Sequence, residues 1–261
     1  MHAMGNPRLS LIVPMYNEAG NIGPLLDELR AAFKGVSHEI VVVDDASDDG
    51  AAEEVAERMA KDPAIRVLTH GARAGKSRAL ITGFQAARGA WVLTLDGDGQ
   101  NDPIDLARIW RATEEAPTDH IVAGVRERRN DGAVKWLTSK SANFVRRRLL
   151  RDDCRDSGCG VKLMPTAFVQ ALPYFDTMHR FFPALARRAG LDVREQMISD
   201  RPRVHGVSKY GFFDRAAAAF LDTVGVYWLT RRFSDPGAIV ASAPQEVSAT
   251  VQDPLGERTS N

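Results

Sequence analysis

Residues Trp91–Pro103 read WVLTLDGDGQNDP. A five-residue apolar run closes on two carboxylates one residue apart, Asp96 and Asp98, each followed by a glycine. Such a segment is either a polar turn after a buried strand, because Asp, Gly, Asn and Pro are common turn residues, or the end of a strand that presents a site. Its neighbours in the chain decide between the two.

Four more short apolar runs rich in β-branched residues flank it: Leu9 to Val13, Glu39 to Val43, Ile65 to Leu68 and His120 to Gly124. Between the first two, Ile22, Leu25, Leu26, Leu29 and Phe33 fall on one helical stripe, and amphipathic stretches follow "DDG", "GKS" and "NDP". Strand and helix alternating in this way predict an α/β fold with a mostly parallel central sheet and helices on both faces. Ligands of such sheets bind beyond the carboxyl ends of the strands. The clusters "PMYNE", "DDASDDG" and "DGDGQ" all stand at those ends, so the opening stretch reads as part of a site.

Composition sets the frame. The chain has 261 residues, 44% hydrophobic and 26% charged, with zero formal net charge, enough for a substantial core in one large or two small domains. The charge is unevenly placed. Residues 1 to 125 carry 12 Lys/Arg against 19 Asp/Glu, and residues 126 to 151 carry 9 against 2, which points the basic segment at an anionic partner. Cys154 and Cys159 form neither a disulfide framework nor a zinc pattern, which suits a reducing cytosolic setting. The N-terminus lacks an apolar signal region and no stretch of 18 apolar residues occurs, so membrane contact is expected to be peripheral. Residues 1–8 and the Ala/Ser/Pro-rich tail 234–261 are expected to be disordered. "HGARAGKSRA" has only three residues between Gly71 and Gly75 where a P-loop needs four. A Gly-Lys-Ser at a helix start still suits a phosphate.

Taken in order, "VPMYNE", "VVVDDASDDG", "GKSRALITGFQAARG" and "LDGDGQNDP" resemble the family 2 glycosyltransferases of the GT-A fold, over nearly everything to residue 233. "DSGCGVKLM", "HRFFPALARRAG" and "RPRVHGVSKYG" are similar to the dolichol-phosphate mannosyltransferase branch, the polyprenyl-phosphate glycosyltransferases. The resemblance implies a GT-A domain over residues 9–233, with interfacial helices near 134–151 and 213–230. It implies an inverting transferase that moves a hexose from a GDP- or UDP-linked sugar to a dolichyl- or undecaprenyl-type phosphate at the cytosolic membrane face.

The same resemblance assigns the residues. Pro14, Tyr16, Asn17, Glu18, Asp44, Asp45, Lys76 and Asp96 would bind the nucleotide sugar; the alternative for Tyr16 is packing and for Asp44 and Asp45 helix capping, and Asp45 could do both. Asp96, Asp98 and Gln100 would hold Mg²⁺ or Mn²⁺, oxygen-seeking cations, which support charge on the leaving diphosphate. Arg126, Ser139, Arg201, Arg203, His205, Ser208 and Lys209 would bind the acceptor phosphate, since guanidinium, hydroxyl and ammonium donors suit it. Asp98, Asp156 and Arg203 would be catalytic; Asp156 takes the acidic position before Ser157 and Gly158, with Asp152 and Asp153 as neighbouring alternatives, and Cys159 stands where the family more often has an aromatic.

Val134 to Arg151 and the stretch ending in Tyr227, Trp228, Arg231 and Arg232 mix apolar, aromatic and basic residues, as interfacial binding to anionic lipid requires. The cluster Arg146, Arg147, Arg148 is expected to face that surface. No nucleic-acid motif accompanies the basic patch, and self-association is left open. Two rival readings are a family 2 transferase acting on a saccharide hydroxyl, with Asp156 as a true base, and a peripheral nucleotide-sugar-binding module without turnover.

Overall fold

The computed structural model describes residues 6–127, 146, 148–152, 154–202 and 213–232, with backbone alone for 213–220. Among the described residues seven strands form one sheet: β1 (Leu9–Met15), β2 (His38–Asp44), β3 (Ile65–Thr69), β4 (Trp91–Thr94), β5 (His120–Arg126), β6 (Lys162–Pro165) and β7 (Asp192–Ile198), in the order β3-β2-β1-β4-β6-β5-β7. β1 pairs in parallel with β2 and β4, β2 with β3, and β5 with β7. β6 runs antiparallel between β4 and β5. The mostly parallel sheet expected from the sequence is present, and all five predicted strands are in it.

Both faces are covered. Leu11, Val13, Ile40 and Val42 point to the side packed by α1 (Ile22–Ala32), α2 (Ala51–Met59) and α4 (Pro103–Thr113), which contribute Leu26, Leu29, Val55 and the fully buried Trp110. Ile12, Val41 and Val43 point to the other side, where α3 (Lys76–Ala86), α5 (Thr166–Gln170) and α6 (Phe182–Arg188) supply Leu80, Phe84, Val169 and Phe182. Consecutive apolar residues are therefore all buried, as a strand sandwiched on both faces requires. α3 rides close on β1 because Gly83 has no side chain: a Cβ there would stand 2.4 Å from Ile12 Cγ2. That contact fixes where the start of α3, Lys76 and Ser77, lies over the edge of the sheet.

β6 and β7 were not anticipated. β6 is four residues long and follows a cysteine- and glycine-rich turn, while β7, DVREQMI, is largely polar and sits at the sheet edge. Neither carries the apolar run that marks β1 to β5. Arg8 is tied down by Ser37 O, which accepts from its amide at 2.9 Å, and by Glu114 at 2.9 Å. Both cysteines are buried free thiols, raised in pKa by burial.

One expectation is corrected. Arg146 does not face outward: it is 6% exposed, pairs with Asp152, and donates to Cys154 O at 2.7 Å. A guanidinium taken out of water is costly unless it is paired and hydrogen-bonded, and Asp152 with the Cys154 carbonyl supplies both. Arg148 is exposed; Arg147 and the rest of the segment 134–145 lie outside the described residues. The last described helix, α7 (Phe213–Arg231), packs Val226 against Phe181, Ala184 and Leu185. Leu221, Val224 and Trp228 are exposed on it. Among the described residues, no helix is long and apolar enough to cross a membrane.

Candidate active site at the carboxyl ends of β1, β2 and β4

Because β1 lies between β2 and β4 and runs parallel to both, their carboxyl ends meet at one edge. Asp45 N donates to Met15 O at 2.8 Å and Leu95 N to Ile12 O at 3.2 Å, so the loops carrying Tyr16, Asp45 and Asp96 leave the sheet side by side. A Cβ on Gly97 would stand 3.2 Å from Pro14 O and 3.8 Å from Glu18 Cγ. The Asp96–Asp98 turn therefore rests directly against the end of β1.

The loop carboxylates divide by task. Asp44 is buried and accepts from the Ser47 amide at 3.0 Å and hydroxyl at 2.6 Å, closing a local turn. Asp45 is buried too, and both its oxygens accept from the next loop: Ala74 N at 2.8 Å, Gly75 N at 2.7 Å, and His70 Nδ1 at 2.8 Å. His70 Nε2 in turn meets Thr82 Oγ1 at 2.9 Å. Asp45 thus shapes the segment that enters α3. Asn17, at a positive φ of 54°, exchanges two hydrogen bonds with Asp48, donating from Nδ2 at 2.7 Å and accepting from its amide at 3.0 Å. Glu18 accepts from Asn21 Nδ2 at 2.9 Å. The Arg73 guanidinium lies over the Tyr16 ring, 4.2 Å from its centroid, a cation–π contact.

At the end of β4, Lys76 Nζ donates directly to Asp96 Oδ1, with both side chains one-third exposed. Burial raises the Asp96 carboxyl, but the ammonium of Lys76, with smaller help from other cationic neighbours including Arg126, holds the group below the usual carboxylate range. The group is an anion at neutral pH. Its amide donates to Asn101 Oδ1 at 3.2 Å, and Gly160 abuts its carboxylate so closely that a Cβ would come within 2.7 Å. Asp98 Oδ1 accepts from Gln100 N at 3.2 Å, and the Gln100 side-chain amide donates to Arg201 O at 3.3 Å. No group of three or more His, Cys, Asp or Glu side chains among the described residues is placed to hold a metal. Two carboxylates one residue apart, one of them kept ionised, still fit a Mg²⁺-type ion, which commonly takes one or two carboxylates and completes its shell with phosphate oxygens and water.

A second buried anion lies in the turn before β6. Asp156, 4% exposed, accepts from Arg126 Nε at 2.8 Å and Nη2 at 3.1 Å. Burial would lower the Arg126 pKa, but the bidentate bond to Asp156 raises it, so the guanidinium stays charged. Arg201, expected at the acceptor phosphate, pairs with Glu28 at 2.6 Å and Asp102 at 2.9 Å. Ser139, Arg203, His205, Ser208, Lys209 and Asp153 lie outside the described residues.

Several members of the site have no signal in a linear reading. Ser77 Oγ meets His179 Nδ1 at 2.9 Å across 102 positions, and loss of water together with the charges of Lys76 and Arg180 pulls His179 down to about 3. His179 is neutral. Lys162, 1% exposed, donates to Cys159 O at 2.6 Å and so braces the turn that carries Asp156 and Gly160. His70 and Arg73 sit in a stretch that sequence alone reads only as a failed P-loop.

The model of the glycosyl transferase family 2 matches residues 10–172. The chain belongs to this family. This glycosyltransferase is 32% identical over 242 residues to the dodecaprenyl-phosphate galacturonate synthase of Rhizobium johnstonii, covering 90% of the chain and 70% of that protein. It is 33% identical over 207 residues to the undecaprenyl-phosphate 4-deoxy-4-formamido-L-arabinose transferase of Pseudomonas savastanoi pv. phaseolicola, covering 77% and 60% respectively. The family 2 chain thus spans only 60% of the second relative's length. Among solved structures, mannosyl-3-phosphoglycerate synthase from Rubrobacter xylanophilus superposes with a TM-score of 0.65 at 19% identity, over 89% of this chain and 79% of that one. Glucosyl-3-phosphoglycerate synthase from Mycobacterium tuberculosis, in complex with Mn²⁺, UDP-glucose and phosphoglyceric acid, gives 0.64 at 17% identity, over 88% and 82%. These likenesses show the GT-A fold.

Proposed function

We propose that this enzyme moves a hexose from a nucleotide-diphosphate sugar, GDP- or UDP-linked, to a polyprenyl phosphate in a single inverting displacement, with a divalent cation, while bound peripherally to the cytosolic face of a membrane. The observation that carries the acceptor class is the Arg126–Asp156 pair. Both carboxylate oxygens of Asp156 accept from one guanidinium, which leaves the residue poorly suited to take a proton from a sugar hydroxyl. A phosphate monoester needs no such base, since its second pKa is about 6 and it is already largely a dianion at neutral pH. The two relatives described above are both named for polyprenyl-phosphate chemistry, which supports the same reading.

The donor side follows from the strand ends. Tyr16 with Arg73 stacked on it offers a flat, cationic surface to a base or ribose. Asp45 holds the Ala74 and Gly75 amides in the turn that presents Lys76. Asp96 and Asp98 would hold the cation, which would screen the diphosphate and support charge on the departing nucleotide. Arg126, Ser139, Arg201, Arg203, His205, Ser208 and Lys209 remain the candidates for the acceptor phosphate. On α7 the exposed Leu221, Val224 and Trp228 lie at spacings of three and four, and Arg231 and Arg232 follow them. An apolar stripe with an aromatic and adjacent cations is the pattern of interfacial binding.

The test is an incubation of the purified protein with radiolabelled GDP- and UDP-sugars, a short polyprenyl phosphate and Mn²⁺ or Mg²⁺, followed by organic extraction. Label entering the organic phase with one donor supports the reading. Hydrolysis or saccharide transfer alone contradicts it.

A further inference from the structure

We infer that Lys76 is the resident counter-ion of Asp96, and that a divalent cation and a nucleoside diphosphate bind this site cooperatively because together they dissolve the Lys76–Asp96 pair. The inference rests on the metal-dependent reading above and adds to it a residue that sets metal affinity. The ammonium already occupies an oxygen of the carboxylate proposed for the cation. A divalent ion arriving alone must displace it and then suffer the repulsion of a positive charge left in contact range. A diphosphate removes that obstacle by offering Lys76 a more strongly charged acceptor.

The surroundings determine which partner yields. Asp96 is fixed from behind by Asn101 at its amide and by Gly160 against its carboxylate, where even a methyl group has no room. Lys76 differs. Its backbone is anchored at the first position of α3, next to Gly75, whose amide Asp45 holds at 2.7 Å, but its ammonium stands at the end of a flexible four-carbon stem and is one-third exposed. The lysine is therefore the member that can change partners while the carboxylate stays. Coupling between the two ligands is reciprocal by necessity, so the cation must tighten the nucleotide as much as the nucleotide tightens the cation.

The experiment measures Mn²⁺ binding, not turnover. Free Mn²⁺ is followed by electron paramagnetic resonance during titration of the full chain, alone and with saturating UDP or GDP, corrected for Mn²⁺–nucleotide complexes measured without protein. The wild type is expected to bind Mn²⁺ at least about tenfold more tightly when the diphosphate is present. Lys76→Met and Lys76→Gln are each expected to bind Mn²⁺ alone at least about threefold more tightly than the wild type and to show a nucleotide gain smaller by about the same factor, the remainder coming from phosphate oxygens on the cation, with unchanged thermal melts; Lys76→Arg should keep the wild-type pattern. Mn²⁺ affinity that is unchanged or weaker in both Lys76→Met and Lys76→Gln would overturn the inference while leaving the metal reading intact. Failure of every protein to bind Mn²⁺, even with bound diphosphate, would overturn the metal reading and this inference with it.

Discussion

The guanidinium of Arg126 grips both oxygens of Asp156, Nε to Oδ2 at 2.8 Å and Nη2 to Oδ1 at 3.1 Å, in a site where the carboxylate is 4% exposed. β5 thereby holds the acidic turn before β6 in place. Under the proposed function Asp156 serves as a positioning anion, and a phosphate acceptor brings its own charge. The acid limb of kcat/KM should therefore follow the acceptor's second ionisation near about pH 6, and Asp156→Asn should keep that limb in place while lowering kcat. Asp156→Asn should also destabilise the fold by about 3 kcal/mol, because it strands a largely buried guanidinium. A pH–rate profile in which Asp156→Asn removes the acid limb would assign the proton to Asp156.

Gly160 tests how tightly Asp96 must be held. A methyl at this position would stand 2.7 Å from the Asp96 carboxylate and must displace it, and a misplacement of about 1 Å in a catalytic site costs roughly 10²-fold. Gly160→Ala is expected to lower kcat/KM by about that factor with a smaller effect on thermal stability. Steady-state kinetics beside a thermal melt separates the two.

His179 gives stability a pH dependence of known sign. Its folded pKa, about 3, lies below the ordinary 6.5 because of desolvation and the charges of Lys76 and Arg180. Between those values the unfolded chain takes up a proton that the folded chain refuses, so stability falls as pH drops from 6.5 towards 3. The slope from this one group is at most about 1.4 kcal/mol per pH unit. His179→Asn, which can keep the bond to Ser77, should lose less stability than the wild type between pH 7 and 5 in calorimetric melts; equal losses would contradict the assignment.

Arg146 separates a buried role from a surface one. With its guanidinium on Asp152 and Cys154 O, Arg146→Ala should cost about 3 to 5 kcal/mol of folding free energy, the usual penalty for breaking a buried pair. Denaturant titration reads it. Arg148→Ala, at an exposed position, should leave the midpoint within about 0.5 kcal/mol of the wild type.

What the sequence made legible were features that repeat locally. β1 to β5 announce themselves as apolar runs, and the strand-end clusters at Tyr16, Asp45 and Asp96 announce themselves as polar breaks in those runs. Lys76 was visible from its motif, but its partner was not, because no spacing rule links positions 76 and 96. The same holds for Ser77 with His179 and for Arg126 with Asp156, contacts that exist only once the sheet has ordered its strands. β6 and β7 stayed hidden because a four-residue strand and a polar edge strand lack periodicity. Arg146 misled for a related reason: in the chain it is one of three consecutive arginines, and only the fold singles it out for burial.

The most direct measurement offers the enzyme two acceptors that differ only in the reacting group, a short polyprenyl phosphate and the corresponding polyprenol, with a labelled nucleotide sugar and Mn²⁺. Label is expected in the phosphate-linked lipid alone, and both EDTA and Asp98→Asn should remove it by about 10²-fold or more, the scale of losing one charge-stabilising group. Comparable transfer to the polyprenol or to a saccharide hydroxyl, or undiminished transfer in excess chelator, would contradict the account.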